Sequence, residues 1–224
     1  MVSEGIPSVA IVDMGMGNLF SIKNACSHVG LHGFLTHSPD EIPNADAIIL
    51  PGMGAFSDAM NALESLSLID VLKDCVHAKK PLLGICLGMQ ILMTSGTEFG
   101  FHEGLGLIDG RVERFQDPMA KETPLKVPHN GWNRLDKTTG IPDRWEATIL
   151  VNLPDGIYMY FNHSYYVIPD SPEVVIATTT YGDCKFCSAV KKDNLIGLQC
   201  HPERSGKTGL AVYWNFVGMI EQYM

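Results

Sequence analysis

The chain has 224 residues, 46% of them hydrophobic, which is one-domain size with enough apolar side chain for a sizeable core. Its formal net charge of -9 argues against nucleic acid or an anionic membrane as partner, since both demand a basic face. Met1 to Pro7 lacks the basic and apolar regions of a signal peptide, and the longest apolar run, Leu82 to Met93, is shorter than the roughly 20 residues of a membrane span, so a single cytoplasmic domain over residues 1–224 is expected.

In chain order, Val9-Ala10-Ile11-Val12 reads as a buried strand, and Asn18 as the N-cap of a helix running to Val29 and closed by Gly30. Gly33 to Thr36 and Ala47 to Leu50 are further strands. After the second comes Pro51-Gly52-Met53-Gly54-Ala55-Phe56, a glycine-rich loop before a polar helix start at Ser57-Asp58. Such a loop can turn backbone N–H groups toward an oxyanion. A helix near Leu68 to Ala78 leads to the strand Leu82 to Ile85, and Leu87 to Met93 reads as the helix after it.

Cys86 falls between that strand and helix, flanked by Gly84 and Gly88. Glycines on both sides let the backbone close in, and the positive end of the helix dipoles favours a thiolate over a free-cysteine pKa of about 8.5. Alone, Gly-x-Cys-x-Gly is equally well a buried structural thiol. The far end of the chain decides between the two. There the run Leu195 to Cys200 ends in His201-Pro202-Glu203, which supplies the base a cysteine nucleophile needs and the carboxylate that orients the base. On an extended backbone, their spacing puts both side chains on one side, with Pro202 holding it rigid. The N–H of Leu87 is a second oxyanion donor beside the Gly52-Met53-Gly54 loop.

The second half is strand-rich: Arg111 to Phe115, Thr148 to Val151, Ile157 to Phe161 and Val174 to Tyr181, then a hairpin with arms Lys185 to Lys191 and Leu195 to Cys200, and a helix from Lys207 to about Glu221. The expected fold is α/β: a doubly wound, mostly parallel central sheet flanked by helices, with the nucleophile at a strand's carboxyl end and an additional antiparallel second half. Of the cysteines Cys26, Cys75, Cys86, Cys184, Cys187 and Cys200, only Cys184 and Cys187 show a paired spacing. Without a second pair it is a weak zinc signal, so no metal and no cofactor are expected.

The motifs Gly84-Ile85-Cys86-Leu87-Gly88-Met89-Gln90, Pro51 to Phe56 and His201-Pro202-Glu203, in this order, resemble those of the triad-type glutamine amidotransferases. Asp13 to Leu19, Val127-Pro128-His129-Asn130-Gly131-Trp132-Asn133, Tyr160-Phe161-Asn162-His163-Ser164-Tyr165 and His201 to Gly206 narrow the resemblance to the glutaminase subunits of imidazole glycerol phosphate synthase. That resemblance implies glutamine hydrolysis by Cys86, His201 and Glu203. It also implies that Gln90 and Glu98 hold the substrate's polar end, with backbone contacts from Gly52, Gly54, Ser164 and Tyr165. It further implies a heterodimer with a (β/α)₈ cyclase that takes the ammonia, with Asn18, Trp132, Tyr160 and Arg204 near the interface. By the residues alone, Glu98 reads as a solvated charge and Trp132 equally as a core side chain. The chain departs from the usual pattern at Met14, Asn130 and Arg204, where tyrosine, methionine and lysine are common. Two other readings keep part of the chemistry: the same glutaminase serving another acceptor, as in surface-sugar pathways, or a hydrolase of a different γ-glutamyl amide. An inactive scaffold is argued against by the intact Cys86, His201 and Glu203.

Overall fold

The computed structural model describes residues 5–138 and 145–224. In chain order the elements are β1 (Ser8–Val12), α1 (Leu19–His28), β2 (His32–Thr36), β3 (Ala47–Leu50), α2 (Phe56–Ser65), α3 (Ile69–His77), β4 (Leu82–Ile85) and α4 (Leu87–Gln90). There follow β5 (Met93–Gly96), β6 (His102–Glu103), β7 (Ile108–Arg114), β8 (Met119–Ala120), β9 (Thr123–Pro124), β10 (His129–Lys137), β11 (Ile157–His163) and β12 (Tyr165–Pro169). The chain closes with β13 (Val175–Tyr181), β14 (Cys184–Lys192), β15 (Leu195–Leu198) and α5 (Gly206–Tyr223).

One large sheet runs β2-β1-β3-β4-β15-β14-β12-β7-β5-β6, with β10 attached through β13 and paired in turn with β11. The five strands β2, β1, β3, β4 and β15 are mutually parallel, as the expected doubly wound half requires. Every residue of β3, β4 and β15 is buried, because helices or loops cover both faces. β14, β12 and β7 continue the sheet in antiparallel pairs. Two apolar clusters fill the two faces. One holds Phe115, Trp145, Phe161, Tyr213 and Phe216, and the other Phe56, Leu63, Leu72, Met89 and Leu92.

Three local expectations are corrected. The helix after Cys86 ends at Gln90 instead of continuing to Met93. The carbonyls of Ile91 and Leu92 accept from Leu105 and from Leu107 and Ile108, so the backbone is taken by a neighbouring segment and Met93 starts β5. Thr148 to Val151 forms turns, not a strand. Thr148 Oγ1 donates to Trp145 O and accepts from Leu150 N, offering the backbone an alternative to a ladder, and Asn215 Nδ2 takes the carbonyls of Ile149 and Val151. Finally, Pro202–Arg204 is a 3₁₀ turn, so His201 and Glu203 do not sit on an extended backbone.

Candidate active site

The last strand in sequence lies beside β4, with Leu198 in register with Ile85. This brings the residues after two strand ends together. Cys86 N donates to Leu198 O at 2.7 Å, and three residues beyond Leu198 is His201. Cys86 itself has φ +55° and ψ -109°, a conformation that costs a non-glycine residue on the order of 1–3 kcal/mol and aims its sulfur out of the sheet. Gly88 is what permits the tight approach: a Cβ there would lie 1.7 Å from Leu50 O, inside the backbone of β3.

His201 Nδ1 and Glu203 Oε1 are 2.8 Å apart, and both side chains are only 2% exposed. The 3₁₀ turn achieves this contact by folding Glu203 back under the imidazole. Burial would discharge the ring, but the Cys86 thiolate and the Glu203 carboxylate outweigh it and raise its pKa to about 10. His201 therefore favours its protonated form beside Cys86 and Glu203. His201 is anchored besides by its own N–H on Tyr160 O at 2.8 Å, and by its carbonyl, which accepts from Ser205 Oγ at 2.7 Å.

The Cys86 sulfur opens onto a cavity of about 290 Å³ lined also by Met53, Gly54, Leu87, Gln90, Glu98, Pro128, Asn162, His163, Ser164 and Tyr165. Gly52 lies behind the lining, buried against Leu87. Gln90, one turn after Cys86, turns its side chain to the cavity and donates from Nε2 to Tyr165 O at 2.8 Å. Glu98 is half-buried, and its Oε2 accepts from Phe56 N at 2.7 Å. It thereby caps the start of α2 from a distant loop and stands at the cavity rim. A larger hollow of about 480 Å³ lies among Pro43, Val71, Cys75, Pro81 and Tyr223, but its lining holds no histidine beside the thiol. Burial pushes the Cys75 thiol up, the opposite of activation.

Trp132 is 54% exposed, which places it on the surface rather than in the core. It pairs across β10 and β11 with Tyr160, their rings edge to face with centroids 6.2 Å apart. The Arg204 guanidinium lies 4.2 Å from the Tyr160 ring centroid, and Tyr160 Oη donates to Asn130 Oδ1 at 2.8 Å. These side chains form one cluster just outside His201. Asn18 caps α1 by accepting from Ser21 N, and α1 packs against the turn that carries Arg204.

Two buried histidines, His163 on the cavity wall and His129 behind it, have no role that follows from the motifs. Asn133 Nδ2 contacts His129 Nε2 at 3.2 Å, His129 Nδ1 contacts His163 Nε2 at 3.1 Å, and His163 Nδ1 contacts Tyr165 O at 2.8 Å. Donating in that order leaves one N–H on each ring, so both are neutral. Burial lowers His129 to about 4 and His163 to about 3. Both folded values lie below the ordinary 6.5, so stability present above pH 6.5 is lost as pH falls toward about 3, because the unfolded chain takes up protons first. Thermal unfolding from pH 7.5 to 5 is therefore expected to show Tm falling below about pH 6.5, each imidazole weighing on the order of 1 kcal/mol per unit. A flat Tm over that window would contradict the neutral pair.

Cys184 is half-buried and Cys187 is buried on β14, where Cys187 Sγ donates to Ala189 O at 3.6 Å. Among the described residues, no group of three or more His, Cys, Asp or Glu side chains is placed to hold a metal ion, and no helix is long and apolar enough to cross a membrane.

Comparison with known proteins agrees with this geometry. Solved structures with the same fold include one from Thermoplasma acidophilum described as a putative GMP synthase component, with TM-score 0.71 at 19% identity, covering 98% of this chain and 96% of that one. PurLQS from Thermotoga maritima gives TM-score 0.71 at 18% identity, covering 96% and 99%. Nearer relatives are named imidazole glycerol phosphate synthase subunit HisH. The Syntrophotalea carbinolica protein is 42% identical over 212 residues, 94% of this chain and 100% of the relative. The Sulfurimonas denitrificans protein is 44% identical over 208 residues, 93% and 96%. The family model for class-I glutamine amidotransferases matches residues 10–217, and with the strained cysteine and the buried histidine–glutamate pair inside that span, the chain belongs to this family.

Proposed function

We propose that Cys86, His201 and Glu203 carry out the glutamine hydrolysis of a glutaminase subunit of imidazole glycerol phosphate synthase, acting in histidine biosynthesis in the cytoplasm. The observation that carries the reading is the strained Cys86 on the cavity wall together with His201, whose ring the buried Glu203 carboxylate holds at 2.8 Å. The thiolate attacks the carboxamide carbon of glutamine, and the negative charge moves to the carboxamide oxygen. The N–H of Leu87, at the start of α4, and the Gly52-Met53-Gly54 backbone are the donors for that oxyanion. His201 gives its proton to the departing nitrogen, the C–N bond breaks, and ammonia and a glutamyl thioester remain. The now neutral imidazole takes a proton from water, hydroxide adds to the thioester, and the C–S bond breaks to return the thiolate and glutamate. Glu203 keeps Nδ1 as the donor to its carboxylate, so Nε2 is the nitrogen that moves protons.

Gln90 and Glu98 hold the polar end of glutamine, with backbone contacts from Gly54, Ser164 and Tyr165 on the cavity wall, while Gly52, expected among them, lies behind the lining. A cavity of about 290 Å³ with these polar groups suits a free amino acid better than a γ-glutamyl peptide. Ammonia released into water is protonated and lost, so the product passes directly to a partner. The exposed Trp132, Tyr160 and Arg204, beside His201, and Asn18 at the start of α1 form the surface for that partner, a (β/α)₈ cyclase.

A diazoketone analogue of glutamine is expected to label Cys86 and none of the other five cysteines, read by peptide mass spectrometry. Burial pushes Cys26 and Cys187 up to about 12, which leaves those thiols inert. Labelling spread over several cysteines would remove Cys86 from its role. Copurification with a (β/α)₈ protein tests the partner.

A further inference from the structure

Gln199 is fully buried between the nucleophile and Gln90, and none of the steps above uses it. It follows β15, where its backbone N–H donates to Ser188 O at 2.9 Å. Its side chain reaches two groups of the site. Oε1 accepts from Gln90 Nε2 at 3.2 Å, and Nε2 donates to Cys86 Sγ at 3.6 Å. Gln90 Nε2 also donates to Tyr165 O, so both of its N–H bonds are committed and its Oε1 is the atom left for the cavity. These contacts fix which way both amides face: turning Gln199 over would set NH₂ against NH₂ and oxygen against sulfur. A buried carboxamide is costly unless its bonds are made, and this one makes them to the reacting thiol and to a side chain lining the cavity.

We propose that Gln199 is a positioning residue of the glutaminase, whose Nε2–H holds the Cys86 sulfur as thiolate while its Oε1 holds the Gln90 amide against the substrate. The proposal rests on Cys86 being the nucleophile. An N–H bond to an ionised sulfur is stronger than one to a thiol or a thioester. The contact therefore favours the attacking form, and favours it again when the sulfur leaves the thioester. No proton passes through Gln199, so the bonds made and broken stay as above. The other titratable groups around the sulfur are His201 with Glu203 behind it, Cys200 beside Gln199, His163 at the end of β11, and Glu98 and Tyr165 across the cavity. A change at Gln199 leaves all of them in place.

The test is the pH dependence of Cys86 alkylation by iodoacetamide in the full chain, with steady-state glutaminase kinetics alongside. Gln199→Met fills the space but lacks both bonds. Its alkylation profile is expected to move about one pH unit toward alkali, a tenfold slowing on the acid limb with an unchanged plateau, while kcat falls and KM for glutamine rises. Gln199→Glu keeps an acceptor for Gln90 but sets a carboxylate against the sulfur. Its profile is expected to move at least as far with a smaller rise in KM. A wild-type profile in either folded variant overturns the proposal. Should neither fold, the wild-type chain decides: the Gln199 side-chain amide resonance must titrate together with the alkylation of Cys86, and one that stays fixed overturns it. Failure of the nucleophile assignment shows separately, as glutamine hydrolysis that survives Cys86→Ala.

Discussion

Cys86→Ala is expected to abolish glutamine hydrolysis and glutamine-dependent synthesis while sparing synthesis from added ammonium salts. Losing a covalent nucleophile commonly costs roughly 10⁴-fold or more, because water must then attack the carboxamide without the thioester intermediate. The folded state has little reason to suffer. Cys86 sits at φ +55°, so the smaller side chain keeps the same strained backbone, and the Leu198 O bond to its N–H is untouched. The surface formed by Trp132, Tyr160 and Arg204 is likewise unaltered. The measurement compares product formation from glutamine and from ammonium salts by the variant with its partner. Near-normal use of glutamine would refute the mechanism, and loss of the ammonia-dependent rate would move the defect to assembly.

The isolated chain is expected to be a poor glutaminase, roughly 10² to 10³ slower than the complex with acceptor bound, the cost of one missing oxyanion donor. The expectation rests on the Met53 peptide, which lies between two glycines with Gly54 at φ +126° and Met53 39% exposed, a setting in which its N–H can be turned toward or away from the cavity at low steric cost. The partner's leverage lies nearby. Tyr160 carries Arg204 on its ring face, and its backbone exchanges bonds with His201 and Ser205. In the proposed complex, docking on that surface would act next to the base, and completing the oxyanion site only then would avoid wasteful release of ammonia. Glutamate production by the chain alone, with partner, and with partner plus acceptor analogue measures the effect. Equal rates in all three would leave a constitutive glutaminase.

The sequence by itself determined the local chemistry. Four uninterrupted apolar residues at Ala47–Leu50 and the apolar run at Leu82–Ile85, each bounded by turn residues, read as buried strands and are so, and Cys86 between Gly84 and Gly88 falls on the turn after the second. The motif His201-Pro202-Glu203 suggested a base and its carboxylate without any knowledge of the turn between them, and the structure sets the two side chains 2.8 Å apart. Gln199 also left a trace, as a polar side chain in the apolar run Leu195 to Cys200 that had to find buried partners somewhere. Where those partners are was beyond reach, since they lie on segments more than a hundred residues away.

Tertiary structure decided what depends on long-range pairing. Only the placement of β15 beside β4, in register from Leu195 with Leu82 to Leu198 with Ile85, puts His201 against Cys86. Beyond Gln90 the chain pairs with a neighbouring segment instead, through Leu105 on the Ile91 carbonyl and Leu107 and Ile108 on the Leu92 carbonyl, contacts that no local pattern announces. Glu98 became a cap for α2 and Trp132 a surface residue because of what packs nearby, not because of their neighbours in sequence. The neutral His129 and His163 pair exists only where β10 and β11 lie side by side with His129 opposite His163. Periodicity reports which face a residue occupies, but hydrogen-bond partners brought together across strands follow from the sheet order, which no local pattern encodes.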